Sequence, residues 1–410
     1  MAEQTPTPVD ALSMMRLKRQ RDVLQERLDQ LFRKKDPTHS SFKTAARGAR
    51  KLVSMFITAS DLQDEVDRRD EFGDPTVDPS QQRRADRKRD GYKLLTVLLG
   101  EHLRDVLADD KADILGFWVN VWNISGVARA EDNGRVRACL ATWLNDVPYE
   151  VRPMLRQKNR EGRGLSHDHV GEYLVSIKIK WSDPAVRKRI RAGDSELRRH
   201  GGFWFNCLYP KCRGDAADLE KNFLRGSLLV KTFCAIFTAD VSADDVDDDV
   251  SDDEPSAKRQ KVEHATKQNV SKLLKMNGKA TPRSIAYAAV LLHFNLTDAK
   301  TWSDVYQGVN YPEFYNFIID YFENNDITTP IGRLAQTEAD ATLHWFSQQA
   351  FPIDTETAIE VEEAWGELAA QRAKKLAAAE ARAEVRAAEA RAAEVLGAET
   401  GTREAAAVES

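Results

Sequence analysis

The chain has 410 residues, a formal net charge of -5 and a composition ordinary for a soluble protein, so it is long enough to bury a sizeable core. Its longest apolar runs, such as Ile285 to Phe294, fall far short of a bilayer span, which argues against a membrane segment. The small net charge hides segregation into basic clusters at 15–35 and 83–89 and an acidic block at 240–254, so only local patches can direct a partner.

The start, MAEQTPTPVD, lacks the apolar core of a secretory signal. Cys139, Cys207, Cys212 and Cys234 are therefore expected to be reduced thiols of the nucleus or cytosol. Leu17, Leu24 and Leu31 are seven apart, with Leu28 between them, in a segment rich in Arg and Lys. The pattern predicts a basic amphipathic helix of two heptads, short for a zipper and better suited to docking on a core. A second helix is predicted over Lys43 to Asp64, with Leu52, Val53, Phe56, Ile57 and Leu62 as its apolar side. The stretch from there to Arg89 reads as a polar loop with a basic end, a solvated face or helix entry, with a phosphate-binding patch as the other reading.

From Tyr92 three successive helices are predicted, YKLLTVLLGEHLRDVLA, KADILGFWVNVWNISGVARA and NGRVRACLATWLND. Leu94, Leu98, Trp118, Trp122, Leu140 and Trp143 face inward in this scheme, with Asp132 or Asn133 opening the third helix and Pro148 closing it. The tryptophans sit at helical spacing among aliphatic residues, as core anchors do, rather than among cations as in a nucleic-acid stacking platform. Arg152 to Ser166 reads as a basic loop, and Ser166 as the cap of a short helix bearing Val170, Tyr173 and Leu174. Ser182 or Asp183 caps the next, which opens at Pro184 and stops before Gly193.

The apolar turn GGFWFNCLYP then feeds DAADLEKNFLRGSLLVKTFCAIF, predicted as one central helix from Asp215 to Phe237. Its apolar residues leave almost no side for water, and Gly226 in its middle calls for close approach of another backbone. Beyond it, nine acids and no base fall within the fifteen residues of 240–254. Such a stretch repels itself and lacks apolar surface, so 240–263 is expected to be a disordered insertion within one domain.

Within that insertion Lys258, Arg259 and Lys261 match the K-[KR]-x-[KR] form of a nuclear import signal, closely spaced cations suited to the acidic groove of an importin. Ser251, followed by Asp252, Asp253 and Glu254, stands in an acidic context for phosphorylation, which would add about -2 charge beside the signal. The helical core resumes with Thr281 as cap and Pro282 as first residue of PRSIAYAAVLLHFNL. PEFYNFIIDYFEN and PIGRLAQTEADATLHWFSQQAF follow, ended by Pro352. The alanine-rich, charge-alternating stretch 353–397 reads as one extended solvated helix, and 398–410 as a disordered tail.

Four blocks, FLRGSLLVKTFCAIFT, TPRSIAYAAVLLHF, FYNFIIDYFE and HWFSQQAFP, resemble a helical family of mushroom-forming fungi known as domain of unknown function 6698. GYKLLTVLLGEHLRDVL, the GLSH at Gly164 to His167 and Leu208-Tyr209-Pro210 are similar to its earlier blocks, so the resemblance runs from about Phe42 to Pro352. It implies a basidiomycete origin and a shared fold, and supplies no activity, cofactor or catalytic residue. The acidic stretch with its KRQK cluster and the alanine-rich tail fall outside what the family shares.

Chemistry is sparse. His167, Asp168 and His169, and the Cys207, Cys212 pair with His200 nearby, are the groupings with metal-capable ligands. They lack the two tight pairs of a structural zinc site, so no metal, cofactor or catalytic residue is assigned. No nucleophile elbow, phosphate loop or dinucleotide fingerprint occurs. The expectation is an all-α protein: a basic lead over 1–39, a multi-helix globular core over 40–352, and helical N- and C-terminal extensions. Its expected role is that of a non-enzymatic nuclear interaction protein, with nucleic acid as one partner class through the basic helices. The alternatives are an enzyme with an interhelical cleft, drawing on His167, His169, Cys207 and Cys212, and a helical scaffold that dimerises through its ends.

Overall fold

The computed structural model describes residues 37–74, 78–146, 148–194, 201–238, 270–351, 371–372 and 374–375. The basic helix expected over 15–35, the insertion at 240–263, nearly all of 353–397 and the tail lie outside these residues. The chain divides into two units, Met1–Phe351 and Pro352–Ser410. In the second, Gln371, Arg372, Lys374 and Lys375 are helical and exposed.

The first unit is all-α apart from one small hairpin. Helix α1 (Pro37–Gly48) runs into a π turn (Ala49–Val53) and is followed by α2 (Ala59–Phe72), α3 (Pro79–Leu99), α4 (Glu101–Ala108) and α5 (Ile114–Asn145). Then come α6 (Asp168–Leu174), α7 (Pro184–Arg191), α8 (Ser227–Phe237), α9 (Val270–Leu273) and α10 (Pro282–Leu296). The antiparallel pair β1 (Val305–Tyr306) and β2 (Val309–Asn310) precedes α11 (Tyr311–Glu323) and α12 (Pro330–Ala350).

Helices α8 and α10 form the centre because neither has a polar side. Every residue of α8, and all of α10 after Pro282, is buried. The two pack on each other, with α5 against both, α11 against α10 and α12 against α8. Phe233, Phe237, Leu291 and Phe294 are wholly enclosed, each contributing about 1.5–3 kcal/mol through burial. A second apolar cluster, including Val53, Leu62, Leu99, Trp118 and Val121, joins α1 to α5 beside this centre. The predicted starts hold where a cap precedes proline: Asp183 accepts from the Ala185 N–H, and Thr281 forms a capping box with Ser284. Asn310 and Thr329 cap α11 and α12 in the same way.

Five predicted boundaries differ, and at three of them a tertiary contact outweighs local pattern. The central helix begins at Ser227 rather than Asp215. Residues 215–226 form a hooked loop in which Asp215 and Asp218 accept from the Ala217 and Lys221 N–H groups. Asn222 and Leu224 take left-handed backbone with φ of 59° and 61°. Gly226 is the N-cap, and its N–H donates to the Leu208 carbonyl at 3.0 Å. A Cβ there would lie 2.9 Å from the Cys207 carbonyl oxygen, so the close backbone approach expected of Gly226 is real although the helix around it is not.

The helix predicted over Lys43 to Asp64 is interrupted between the π turn and Thr58, where a capping box opens α2. Two buried arginines hold the interruption: Arg283 donates to the Val53 carbonyl at 2.5 Å and Arg50 to the Met55 carbonyl at 2.9 Å. The basic stretch Arg83 to Arg89 is helical, not a loop, within α3. Gly100, with φ of 53°, then separates α3 from α4, and Leu94 stands 42% exposed instead of facing inward. The two helices expected on either side of Asp132 are one helix, α5, of 32 residues. Asp132 does not cap because its carboxylate is committed to Lys51 and Tyr287.

Two glycine replacements separate these effects. Gly226→Ala is expected to lower stability by about 2 kcal/mol through the clash with the Cys207–Tyr209 backbone. Gly134→Ala, which meets nothing within 4 Å inside α5, should raise it by about 0.5–1 kcal/mol, both read by denaturant unfolding.

Candidate functional site

Among the described residues no three His, Cys, Asp or Glu side chains converge as metal ligands would. The groups that sequence reasoning weighed for metal or catalysis are held apart by structural tasks. His167 rather than Ser166 caps α6, its Nδ1 accepting from the His169 and Val170 N–H groups while Nε2 meets the Pro153 carbonyl at 2.9 Å. Asp168 pairs with Arg191, whose guanidinium holds its carboxyl below the usual range. His169 is exposed. Cys207 and Cys212 are buried without a disulfide, and burial raises the Cys207 thiol far above its ordinary value. His200, Lys258, Arg259 and Lys261 of the expected import signal, and Ser251 lie outside the described residues.

Among the described residues two places hold buried polar groups, a triad and a partly open, mostly apolar cavity. One is the buried triad Lys51, Asp132 and Tyr287. The Lys51 Nζ lies 2.7 Å from one Asp132 oxygen, which also accepts from the Tyr287 hydroxyl at 2.8 Å. Burial lowers Lys51 despite the attraction of Asp132, and raises Tyr287 well above the ordinary phenol range. The other is a cavity of about 40 Å³ between Leu165, Phe205, Tyr306 and His293, room for two or three waters and no substrate. The His293 Nδ1 lies 3.2 Å from the Tyr311 hydroxyl, and burial lowers its pKa to about 3.

The dominant feature is a run of cations along α5. Trp122, Gly126, Arg129, Asn133 and Arg137 recur at helical spacing on one stripe. Arg50 lies against Gly126 and stacks on Trp122 at 3.3 Å. Arg129 covers Trp302 at 4.5 Å, and Arg160 covers Phe294 at 4.2 Å. Asn295 is the hub between them. Its Nδ2 donates to the Asn133 Oδ1 at 2.8 Å, its Oδ1 accepts from Arg160, and its carbonyl accepts from Arg163 at 2.7 Å.

Arg163 completes its bonds on the Arg137 and Arg156 carbonyls, and Arg160 on the Ala299 carbonyl. Among the described residues none of Arg50, Arg129, Arg137, Arg160 and Arg163 pairs with a carboxylate; Asp304 acts on Arg50 and Arg129 only through its field. Burial first, and neighbouring guanidiniums second, pull Arg50, Arg160 and Arg163 to about 10, still protonated at neutral pH. This cluster joins residues from the π turn, α5, the 152–166 loop, α10 and the loop before the hairpin, so no single stretch of sequence announces it. The one local signal was the basic composition of Arg152 to Ser166.

The other basic stretch is answered locally. Arg87 pairs with Asp320, Arg84 with Glu313, and Arg89 with Asp86 and Asp90. Trp118 donates to Gln63, and Trp302 is flanked by Arg129, Phe56 and Phe294, so these rings are core anchors.

Replacing Asp132 by Ala leaves Lys51 buried and unpaired, and is expected to cost about 3–5 kcal/mol, against about 1 kcal/mol for Tyr287→Phe, measured by urea unfolding. Because the folded pKa of His293 is depressed, its contribution to stability is full above the ordinary imidazole value and is lost as pH falls from there toward about 3. Its ring resonances should therefore remain those of neutral imidazole down to pH 4, which NMR titration checks.

No curated protein and no solved structure matches the chain. A family model described as a family of unknown function, DUF6698, matches residues 123–351, beginning within α5 and so excluding the region from Phe42 that the block resemblance had taken in. That span holds more than half of the chain, both central helices and most of the cation cluster: the chain belongs to the DUF6698 family.

Proposed function

We propose that this chain is a non-catalytic interaction protein that works in the nucleus and holds an anionic partner on its helical core. The observation that carries this reading is the run of guanidiniums along and beside α5, none of which pairs with a carboxylate among the described residues. Desolvated charge of one sign is costly, and a partner of opposite sign relieves the cost. The enzyme reading has less support, since His167 and the two cysteines are committed to capping and packing.

The nuclear part rests on Lys258, Arg259 and Lys261, which an importin would take as an address. In sequence they fall between α8 and α9, elements of one core. Phosphorylation of Ser251 would set negative charge beside that address and weaken it.

Imaging a fluorescent fusion in basidiomycete cells, following the expected fungal origin, tests the address. Changing Lys258, Arg259 and Lys261 together to Ala should shift the protein from nucleus to cytoplasm. An unchanged distribution would remove the nuclear part of the proposal.

A further inference from the structure

The geometry points to a phosphate-binding site on α5 formed by Arg129, Asn133 and Arg137, its ligand a small di- or triphosphate group. This deepens the anionic-partner reading and rests on it.

The five guanidiniums of the cluster divide into two kinds. Arg160 and Arg163 spend their N–H groups on Asn295 and on the carbonyls of Ala299, Arg137 and Arg156, while Arg50 spends one on Met55. They are staples, and their charge comes with the job. Arg129 and Arg137 differ, for neither donates a hydrogen bond to any described residue. The Nε of Arg137 is buried with no partner among the described residues, as are those of Arg50 and Arg163, so what sets Arg129 and Arg137 apart is that their remaining N–H groups are not spent on the protein. Both side chains are half-exposed, so a solute can reach them from the face where the staples supply positive field from behind.

Spacing sets the ligand size. Arg129 and Arg137 are two turns apart, about 12 Å along the helix axis at about 1.5 Å per residue, with Asn133 one turn from each. Long arginine side chains rooted at that distance can close on a single phosphate chain, each guanidinium offering a planar fork to two oxygens. Asn133 already accepts from Asn295, which leaves its own amide hydrogens to donate. A base-stacking polymer fits less well, because Trp302 carries Arg129 on its ring and packs on Phe56 and Phe294, and Trp122 carries Arg50.

The test is thermal unfolding of the full chain with inorganic pyrophosphate, ionic strength being held constant with sodium chloride. At about 100 times Kd the unfolding midpoint should rise by roughly 5 °C. The double change Arg129→Gln and Arg137→Gln should abolish that rise while leaving the midpoint without pyrophosphate unchanged or higher, since a like charge has been removed from the cluster. A purely structural role predicts the reverse, a lower midpoint without ligand. Arg129→Gln alone, at the half-exposed stacking position, should cut the rise by at least half and keeps the test readable if the double variant fails to fold. Arg104→Gln on α4, paired only with exposed Glu101, should keep the full rise.

A rise that survives in the double variant, or no rise, overturns the assignment. If a single-stranded oligonucleotide or polyglutamate stabilises the protein where pyrophosphate does not, the phosphate-chain assignment falls and the anionic-partner reading stands. Silence from all three removes both.

Discussion

Two adjacent helices without a polar face dictate the rest of this fold. Once α8 and α10 lie side by side, every direction around them must be filled, and the elements that fill it bring their own chain ends and loops into the interior. Those ends carry carbonyl groups that no helix or sheet satisfies, and leaving them bare beside an apolar core is costly. The chain meets the need with guanidiniums. Arg283 reaches the Val53 carbonyl, Arg50 that of Met55, Arg160 that of Ala299, and Arg163 those of Asn295 and Arg156, with a further bond to the Arg137 carbonyl inside α5. One arginine can satisfy several carbonyls because its five N–H groups sit in a rigid fork, which lysine cannot imitate.

That solution has an electrostatic consequence. A carbonyl accepts a hydrogen bond but carries no net charge, so each staple other than Arg283, which also reaches Glu323, leaves a positive charge in a poorly solvated place. The Lys51, Asp132 and Tyr287 triad is the contrasting case, a cation balanced by a carboxylate that is itself hydrogen bonded. Along α5 there is no such balance, and stacking on Trp122, Trp302 and Phe294 supplies only part of the stabilisation that water would have given. The same contacts that close the core thus charge one of its faces, which ties the architecture to the proposed affinity for anions.

The fold class and the buried centre were legible in the sequence because both rest on local pattern. SLLVKTFCAIF and PRSIAYAAVLLHFNL are apolar around their whole circumference, and such helices have to be enclosed. Caps followed by proline, as at Asp183-Pro184 and Thr281-Pro282, were equally plain, since the satisfying oxygen is a neighbour in the chain. The candidate site was almost illegible. Arg160 and Arg163 sit in a stretch whose composition reads as a solvated loop, and nothing local distinguishes them from exposed arginines until the Asn295 carbonyl is brought to them. Arg129 and Arg137 are likewise two ordinary cations of a long helix until the loop before the hairpin places Trp302 and the 152–166 loop places Arg160 beside them.

What the sequence determined by itself is therefore what short-range physics controls: helical periodicity, caps and the all-α class. Only the tertiary structure decided where the central helix starts, because Gly226 is held by the backbone of Cys207 to Tyr209 and not by its own neighbours. It also decided that Asp132 pairs instead of capping, and that five arginines from different elements share one face. Those outcomes depend on groups far apart in the chain meeting without water between them, and no local pattern of residues encodes such a meeting.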